Sequence, residues 1–216
     1  MTEKSIDRDK LRQAMRKMDD DMIYFLLDDA IDLLPDTKLA KLVGNYIDLE
    51  NLGPDGDERS PLDDVKAFHK VSLEGGYYEE IDVHSKNFIQ NSRGTQAWIA
   101  DCKRLLDRLV AMSLKNGSPD IAAAFDLIFE LLERIDEGND DIVFFADVGG
   151  SRQVYVNWEK VFPGYFKSLT LAAEPGYYAE RVVELVDLYQ KRDREKYLAT
   201  ARRVATAAQK KALRGA

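Results

Sequence analysis

The sequence predicts an all-α protein of antiparallel helical hairpins that stack into a short superhelix, similar to an α-solenoid. Apolar residues repeat at helical spacing in several separate stretches. The turns between these stretches are short, and two stretches begin with Ser-Pro followed closely by an acidic residue. Each helix alone would leave its apolar face exposed, so we expect neighbouring helices to cover it.

Residues 1–50 are expected to form an N-terminal segment of three helices. The second and third have apolar stripes with nearly the same spacing, separated by Pro35: Ile23, Leu26, Leu27, Ala30, Ile31 and Leu34, then Leu39, Leu42, Val43, Tyr46 and Ile47. The stretch 51–60 is rich in acidic and turn-forming residues, so we expect a solvated loop within one structural domain.

Residues 60–216 are expected to form the main helical-repeat region. Ser60-Pro61 and Ser118-Pro119 suit helix starts, because serine accepts from unpaired backbone N–H groups and proline fits the first helical position. The stripe from Trp98 to Val110 predicts a long helix with Cys102 in its core. A final helix is expected from about Asp193, with Val204 and Ala208 among its buried residues.

Residues 142–156 do not fit the helical pattern. Their β-branched and aromatic residues flank Gly149-Gly150, which is typical of a small hairpin. The favoured interpretation is an irregular segment followed by a helix from about Arg152, with a break or kink at Pro163. The hairpin stays as the alternative.

Two segments that lie 100 residues apart are alike. Residues 74–80 and 174–180 share five of seven positions, including Tyr77 and Tyr177. Convergence on the chemistry of a turn before a helix explains this as simply as an internal duplication does.

Composition and charge exclude several classes of protein. The 216 residues carry a formal charge of −8 and 45% hydrophobic residues, as in ordinary globular proteins. No apolar run is long enough to span a bilayer, and residues 1–10 are polar, so we expect a cytoplasmic protein without a membrane span. The single cysteine fits a reducing compartment. No nucleophile elbow, phosphate loop or cofactor motif occurs, and we expect no cofactor.

The enzymatic alternative depends on the two histidines of the chain. If residues 61–73 and 77–90 form a helical hairpin, His69 and His84 lie near each other, with Glu80 one turn before His84. Two imidazoles and a carboxylate are ligands for zinc or iron. The spacing differs from the Glu-x-x-His pattern of di-iron bundles. The alternative function is therefore a small metal-binding enzyme centred on these three residues.

The charge distribution suggests a different kind of interaction. Residues 191–216 hold nine basic and two acidic side chains, whereas residues 19–36 hold seven acidic and no basic ones. A basic terminal helix with Arg202 and Arg203 can bind nucleic acid or an anionic membrane. Docking on an acidic part of the same protein, or simple solvation, is favoured, because an acidic chain repels phosphate backbones. Exposed aromatic residues favour protein interfaces, and we expect this of Tyr77, Trp158 and Tyr177.

The chain also resembles a group of bacterial helical-repeat domains of unknown function, some of which lie beside SWIM-type zinc fingers. The resemblance covers residues 60–205 and rests on Leu131-Leu132-Glu133-Arg134-Ile135-Asp136, Asp140-Asp141, an aromatic helix and Ala173-Glu174-Pro175-Gly176. The Cys-x-Cys and Cys-x-His pairs of the zinc finger are missing. The resemblance implies an all-α superhelix and no catalytic residues. The expected function is a non-enzymatic interaction or scaffolding module for a protein or peptide partner.

Overall fold

The structure is a computed structural model that describes residues 6–18, 20–44, 46–47, 60–81, 91–138, 141–145 and 149–215. Within these residues it contains helices and no β-strand, which confirms the prediction of an all-α fold. None of the described helices has the length and apolar character needed to cross a bilayer. The chain divides into two compact units, Met1–Glu58 and Arg59–Ala216.

In its described residues, the first unit contains three helices, α1 (Arg8–Met15), α2 (Asp20–Leu33) and α3 (Asp36–Val43). Asp7 caps α1, because its Oδ1 accepts hydrogen bonds from the backbone N–H groups of Asp9 and Lys10 at 3.0 and 3.2 Å. Helix α3 begins directly after Pro35 without a side-chain cap. Several large apolar side chains of this unit are exposed, among them Met22, Ile31, Leu33 and Leu42.

The second unit contains seven helices in the residues described, α4 (Pro61–Leu73), α5 (Arg93–Asn116), α6 (Pro119–Glu137), α7 (Trp158–Ala172), α8 (Pro175–Tyr189), α9 (Arg194–Val204) and α10 (Ala207–Gly215). The predicted caps are present: Ser60 Oγ accepts from Asp63 N, and Ser118 Oγ accepts from Ile121 N. Extensive contacts join α4 to α6, α5 to α7, α7 to α9 and α8 to α10. The superhelical stacking of the hairpins stays a prediction.

The core of the second unit is dense in aromatic side chains. Phe162 lies at its centre, with ring centroids 4.8 Å from Trp158, 5.2 Å from Phe166 and 5.1 Å from Tyr197. Cys102 is fully buried on α5, and burial raises the pKa of its thiol to about 12. The thiol is therefore protonated and inert at neutral pH.

The described residues of the segment 142–156, which are 142–145 and 149–156, form no strand and no α-helix, as expected for an irregular segment. Residues 141–145 belong to no regular element, and Gly150–Val154 form a turn of 3₁₀ helix. Phe144 is bound by Thr95, whose hydroxyl oxygen accepts from Phe144 N at 3.1 Å and donates to Phe144 O at 2.9 Å. The expected helix start at Arg152 is wrong, because α7 begins at Trp158 after an Asn157 cap.

Two further expectations about helix limits differ from the structure. Helix α7 continues through Pro163, so the expected break is wrong and a kink stays a prediction. The expected single C-terminal helix is two helices, which meet at Ala205 and Thr206. Thr206 and Gln209 form a capping box, since Gln209 N donates to Thr206 Oγ1 and Thr206 N donates to Gln209 Oε1. Val204 and Ala208 are consequently exposed rather than buried.

The start of α5 is covered by the segment that follows α4. Tyr77 to Glu80 are not helical, so the expected helix 77–90 is wrong over its described residues, 77–81. Gly94 N donates to Glu79 Oε2 at 3.0 Å. A Cβ atom added to Gly94 would collide with the carbonyl oxygen of Tyr77. The absence of a side chain at Gly94 therefore allows the two segments to approach.

We expect Gly94→Ala to lower the free energy of unfolding by about 1–3 kcal/mol, the usual cost of overpacking. Gly176→Ala is the matched control, because Gly176 is also the second residue of a helix and a Cβ there meets nothing within 4 Å. It should raise stability by about 0.4–1 kcal/mol, because the unfolded chain loses freedom. Urea unfolding followed by circular dichroism measures both. Equal effects of the two substitutions would contradict the described packing at Gly94.

Candidate functional site

A cleft in the second unit brings the 3₁₀ turn together with the ends of α6, α7 and α8. Its volume is about 640 Å³, within the range of roughly 300–1,000 Å³ typical of ligand sites. Its lining residues are Asp136, Gly149, Ser151, Arg152, Tyr155, Val156, Trp158, Leu188, Tyr189 and Gln190. A second lobe shares Arg152, Leu188, Tyr189 and Gln190 and adds Lys191, Arg192 and Asp193. We call these two lobes together the cleft.

Two stacked aromatic rings form one wall of the cleft. Trp158 begins α7 and Tyr189 ends α8, and their ring centroids lie 4.3 Å apart at an interplanar angle of 19°. Trp158 also packs on Phe129 and Phe162, which connects the wall to the core. The stack therefore presents a rigid apolar surface to a ligand.

The hydroxyl group of Tyr189 has an unusual environment. Its oxygen is buried and has no hydrogen-bond partner among the described residues. Burial, followed by the negative charges of Glu133 and Asp136, raises the pKa of Tyr189 above its usual value. The hydroxyl is thus a protonated donor at neutral pH, and leaving a buried donor unpaired costs about 1–3 kcal/mol.

The 3₁₀ turn is attached to α6 through one carboxylate. Asp136 accepts hydrogen bonds from Ser151 N at 2.8 Å and from Ser151 Oγ at 2.7 Å. Gly150 has a φ of +52°, and a Cβ atom there would collide with the Asp136 carboxylate. Glycine at position 150 therefore permits both the backbone conformation and the contact that fixes this side of the cleft.

Tyr155 combines a strained backbone with an exposed ring. Its φ and ψ of 52° and 48° lie in the left-handed region, which is unfavourable for an aromatic residue. The side chain is 80% exposed, and Lys103 Nζ lies 6.0 Å from the ring centroid. Strained residues of this kind are concentrated at functional sites. Tyr155 therefore makes the cleft a candidate binding site.

The rim of the cleft carries cationic side chains. Arg152, Lys191 and Arg192 are all exposed, and within the part of the chain that the structure describes none of them forms an ion pair. Two carboxylates also line the cleft, Asp136 and Asp193, and the first of these is bound to Ser151. The rim is thus locally basic in a protein of net charge −8.

A second polar cluster joins α6, α7 and α8. Arg181 contacts Asp126 at 3.3 Å, Glu133 at 3.4 Å and Glu184 at 2.8 Å, and Tyr165 donates to Asp126 at 2.7 Å. Burial raises the pKa values of Asp126 and Glu133, although Arg181 opposes the shift. Shifted pKa values also occur at catalytic sites. Here the groups are bound to one another, so the cluster connects three helices.

Of the five binding residues expected from the sequence, the structure places Trp158 in the cleft. Tyr77 is half-buried and donates to Asp101 Oδ2 at 2.8 Å, whereas Tyr177 is exposed in the first turn of α8. Arg202 Nη1 lies 3.7 Å from Glu195 Oε2, and Arg203 is exposed. Neither arginine lines the cleft. Binding roles for these four residues stay predictions.

The expected metal ligands are not brought together in the described residues. His69 Nε2 lies 3.2 Å from Glu130 Oε2, and Glu130 Oε1 accepts from Arg134 Nε at 2.9 Å. Glu80 is exposed outside any helix, and His84 lies outside the described residues. Among the residues that the structure describes, no three His, Cys, Asp or Glu side chains form a possible metal site. The metal-binding alternative stays a prediction.

Comparisons of the chain with protein families, curated proteins and solved structures find no match. The geometry of the cleft is therefore the basis for inferring its function.

Three residues of the cleft were not expected from the sequence to bind a ligand. Tyr189 belongs to an apolar helical stripe, which predicts a core residue, and Tyr155 follows no local motif. Arg152 was expected at a helix start. The sequence signal for this part of the cleft is Gly149-Gly150, because paired glycines favour a turn. In the structure, this turn lies beside the ends of α6 and α8.

The polar cluster around Arg181, which includes Asp126 and Glu133, predicts how the free energy of unfolding depends on pH. A carboxyl whose pKa is higher in the folded state binds more protons when folded, so acidification through that pKa raises the free energy of unfolding. Asp126→Asn removes this contribution. We therefore expect the unfolding free energy of the wild type minus that of Asp126→Asn to increase as the pH falls from about 7 to about 4. Chemical denaturation at each pH measures this difference.

Leu171→Gln is the control for this pH series, since it changes an exposed residue and adds no titratable group. The difference in unfolding free energy between Leu171→Gln and the wild type should not depend on pH. A difference for Asp126→Asn that is constant, or that decreases on acidification, would contradict the assigned direction of the Asp126 pKa.

The backbone of Tyr155 gives another prediction. Asparagine tolerates the left-handed conformation better than tyrosine does. We expect Tyr155→Asn to raise the free energy of unfolding by about 1 kcal/mol. Tyr155→Phe retains the Cβ and the ring, so its stability should match that of the wild type. Urea denaturation compares the variants, and an Asn variant less stable than the Phe variant would show that Tyr155 is not strained.

Proposed function

We propose that the protein is a non-enzymatic interaction module and that its cleft holds a segment of a partner protein. The observation that carries this proposal is the exposed ring of Tyr155, which has a left-handed backbone conformation and lines the same cleft as the Trp158–Tyr189 stack. The Trp158–Tyr189 stack and Leu188 offer apolar surface for the side chains of such a segment.

The composition of the cleft supports binding rather than catalysis. Tyrosine, tryptophan and arginine are the residues most enriched at the energetic centres of protein interfaces, and Tyr155, Trp158 and Arg152 line this cleft. Ser151, the serine among the described lining residues, donates its hydroxyl hydrogen to Asp136. An activated nucleophilic serine needs a base that is itself oriented by a third group. The Ser151–Asp136 pair instead attaches the 3₁₀ turn to α6, so we assign it a structural role.

A photo-crosslinking experiment tests the proposal in the full chain. A benzophenone amino acid replaces Tyr155 in one variant and Leu171 in the control, because Leu171 is an apolar residue on α7 that is 60% exposed. Irradiation in cells should give a protein adduct at position 155 and none at position 171. Mass spectrometry identifies the partner, which is then purified.

Binding of the purified partner completes the test. We expect Tyr155→Asn to weaken this binding by about tenfold or more, the loss of an interface hot spot, while protein stability does not fall. Leu171→Asn should leave the affinity unchanged. Adducts of equal yield at both positions, or an affinity that Tyr155→Asn does not change, would overturn the proposal.

A further inference from the structure

The strongest further inference concerns the chemistry of the segment held in the cleft, and it rests on the proposed function. Arg152, Lys191 and Arg192 lie along the rim without ion pairs among the described residues. By contrast, Arg181, Arg194 and Arg104 each contact at least one carboxylate. Three unpaired cations beside one cleft form a site to which negative charge is attracted.

The inner part of the cleft has the opposite character. Asp136 lines this part of the cleft, and its carboxylate accepts from Ser151 N and Ser151 Oγ. A negative group placed beside Asp136 would be repelled by this carboxylate. A neutral peptide backbone avoids that cost. The cleft thus favours a ligand that is neutral at the inner end and negative at the rim.

This separation of charge distinguishes between classes of macromolecule. A peptide has neutral backbone carbonyls and carries carboxylates only on its acidic side chains. A nucleic acid carries a phosphate at every nucleotide, which would bring negative charge close to Asp136 as well as to the rim. The aromatic residues Tyr155 and Trp158 can stack on bases, but the net charge of −8 repels a polyanion at long range.

We propose that the cleft binds an acidic peptide segment, with neutral backbone beside Asp136 and carboxylates at Arg152, Lys191 and Arg192. The apolar side chains of the segment lie on the Trp158–Tyr189 stack. Lys103, next to the ring of Tyr155, extends the basic rim beyond the cleft itself.

Fluorescence anisotropy with the full chain tests this proposal. The probes are three labelled octapeptide pools of randomised order, each with the same leucine, tyrosine and glycine content and with three glutamate, three glutamine or three lysine residues. We expect the glutamate pool to bind about tenfold more tightly than the glutamine pool at about 50 mM salt. This advantage should decrease at about 500 mM salt, because salt screens exposed charges. The lysine pool should bind most weakly.

Matched charge variants localise the effect. The triple variant Arg152→Gln, Lys191→Gln, Arg192→Gln should lower the affinity for the glutamate pool to that for the glutamine pool. The control is Lys210→Gln, Lys211→Gln, Arg214→Gln, which removes the same charge from α10, outside the cleft. This control should retain the preference for glutamate. Melting temperatures of both variants verify that they are folded.

The outcomes separate this inference from the proposed function. If the glutamine pool binds as tightly as the glutamate pool, the acidic preference is wrong and the interaction module survives. If no pool binds, and Tyr155→Asn does not change the affinity for the crosslinked partner, both proposals are wrong. A ten-nucleotide thymidine strand is the final probe. If it binds more tightly than the glutamate pool, and through the same three cations, the ligand is a nucleic acid and the peptide proposal is overturned.

Discussion

The packing of α7 is the interaction on which the rest of the second unit depends. This helix contacts α5, α6 and α9, and Phe162, Tyr165 and Phe166 are all fully buried on it. Ser113 Oγ on α5 donates to the Gly164 carbonyl oxygen at 2.5 Å, which joins α5 to α7. Because Trp158 begins the same helix, the wall of the cleft is positioned by the hydrophobic core rather than by a loop.

Most of this fold follows from local pattern. Apolar residues at helical spacing predict α5, α6 and α8, and Ser-Pro pairs predict the starts of α4 and α6. Each of these signals acts within a few residues along the chain. The division of the C-terminal region into α9 and α10 could also have been predicted from the sequence, since Thr206 and Gln209 have the spacing of a capping box. The continuous apolar stripe from Tyr197 onwards obscured that signal.

The conformation of the irregular segment was harder to predict from the sequence, because tertiary contacts determine it. Residues 141–145 have the composition of a strand, but Thr95 at the start of α5 binds both backbone polar groups of Phe144. A single side chain from a distant helix thus replaces the hydrogen bonds that a hairpin partner would supply. Periodicity along the chain contains no information about such a contact, so the sequence left both alternatives open.

The candidate site shows the same division between local and distant causes. Trp158 was expected to bind because it is an aromatic residue outside the clear apolar stripes, and exposed aromatic residues favour protein interfaces. Tyr189 was not, because its position in an apolar stripe is typical of the core, and only the ends of three helices coming together leave its hydroxyl unpaired. Arg152 is one of many basic residues, and its lack of an ion pair within the described structure is visible only in three dimensions.

The contact made by Gln209 affects the order in which the chain acquires its native structure. Its side-chain nitrogen donates to the carbonyl oxygens of Thr170 and Ala173 at 3.1 and 3.0 Å, at the end of α7. Ala173 is synthesised 36 residues before Gln209. During translation, these two carbonyl groups depend on water until α10 arrives. A nascent chain that ends before residue 209 therefore lacks the protein donor for these two carbonyl groups at the end of α7.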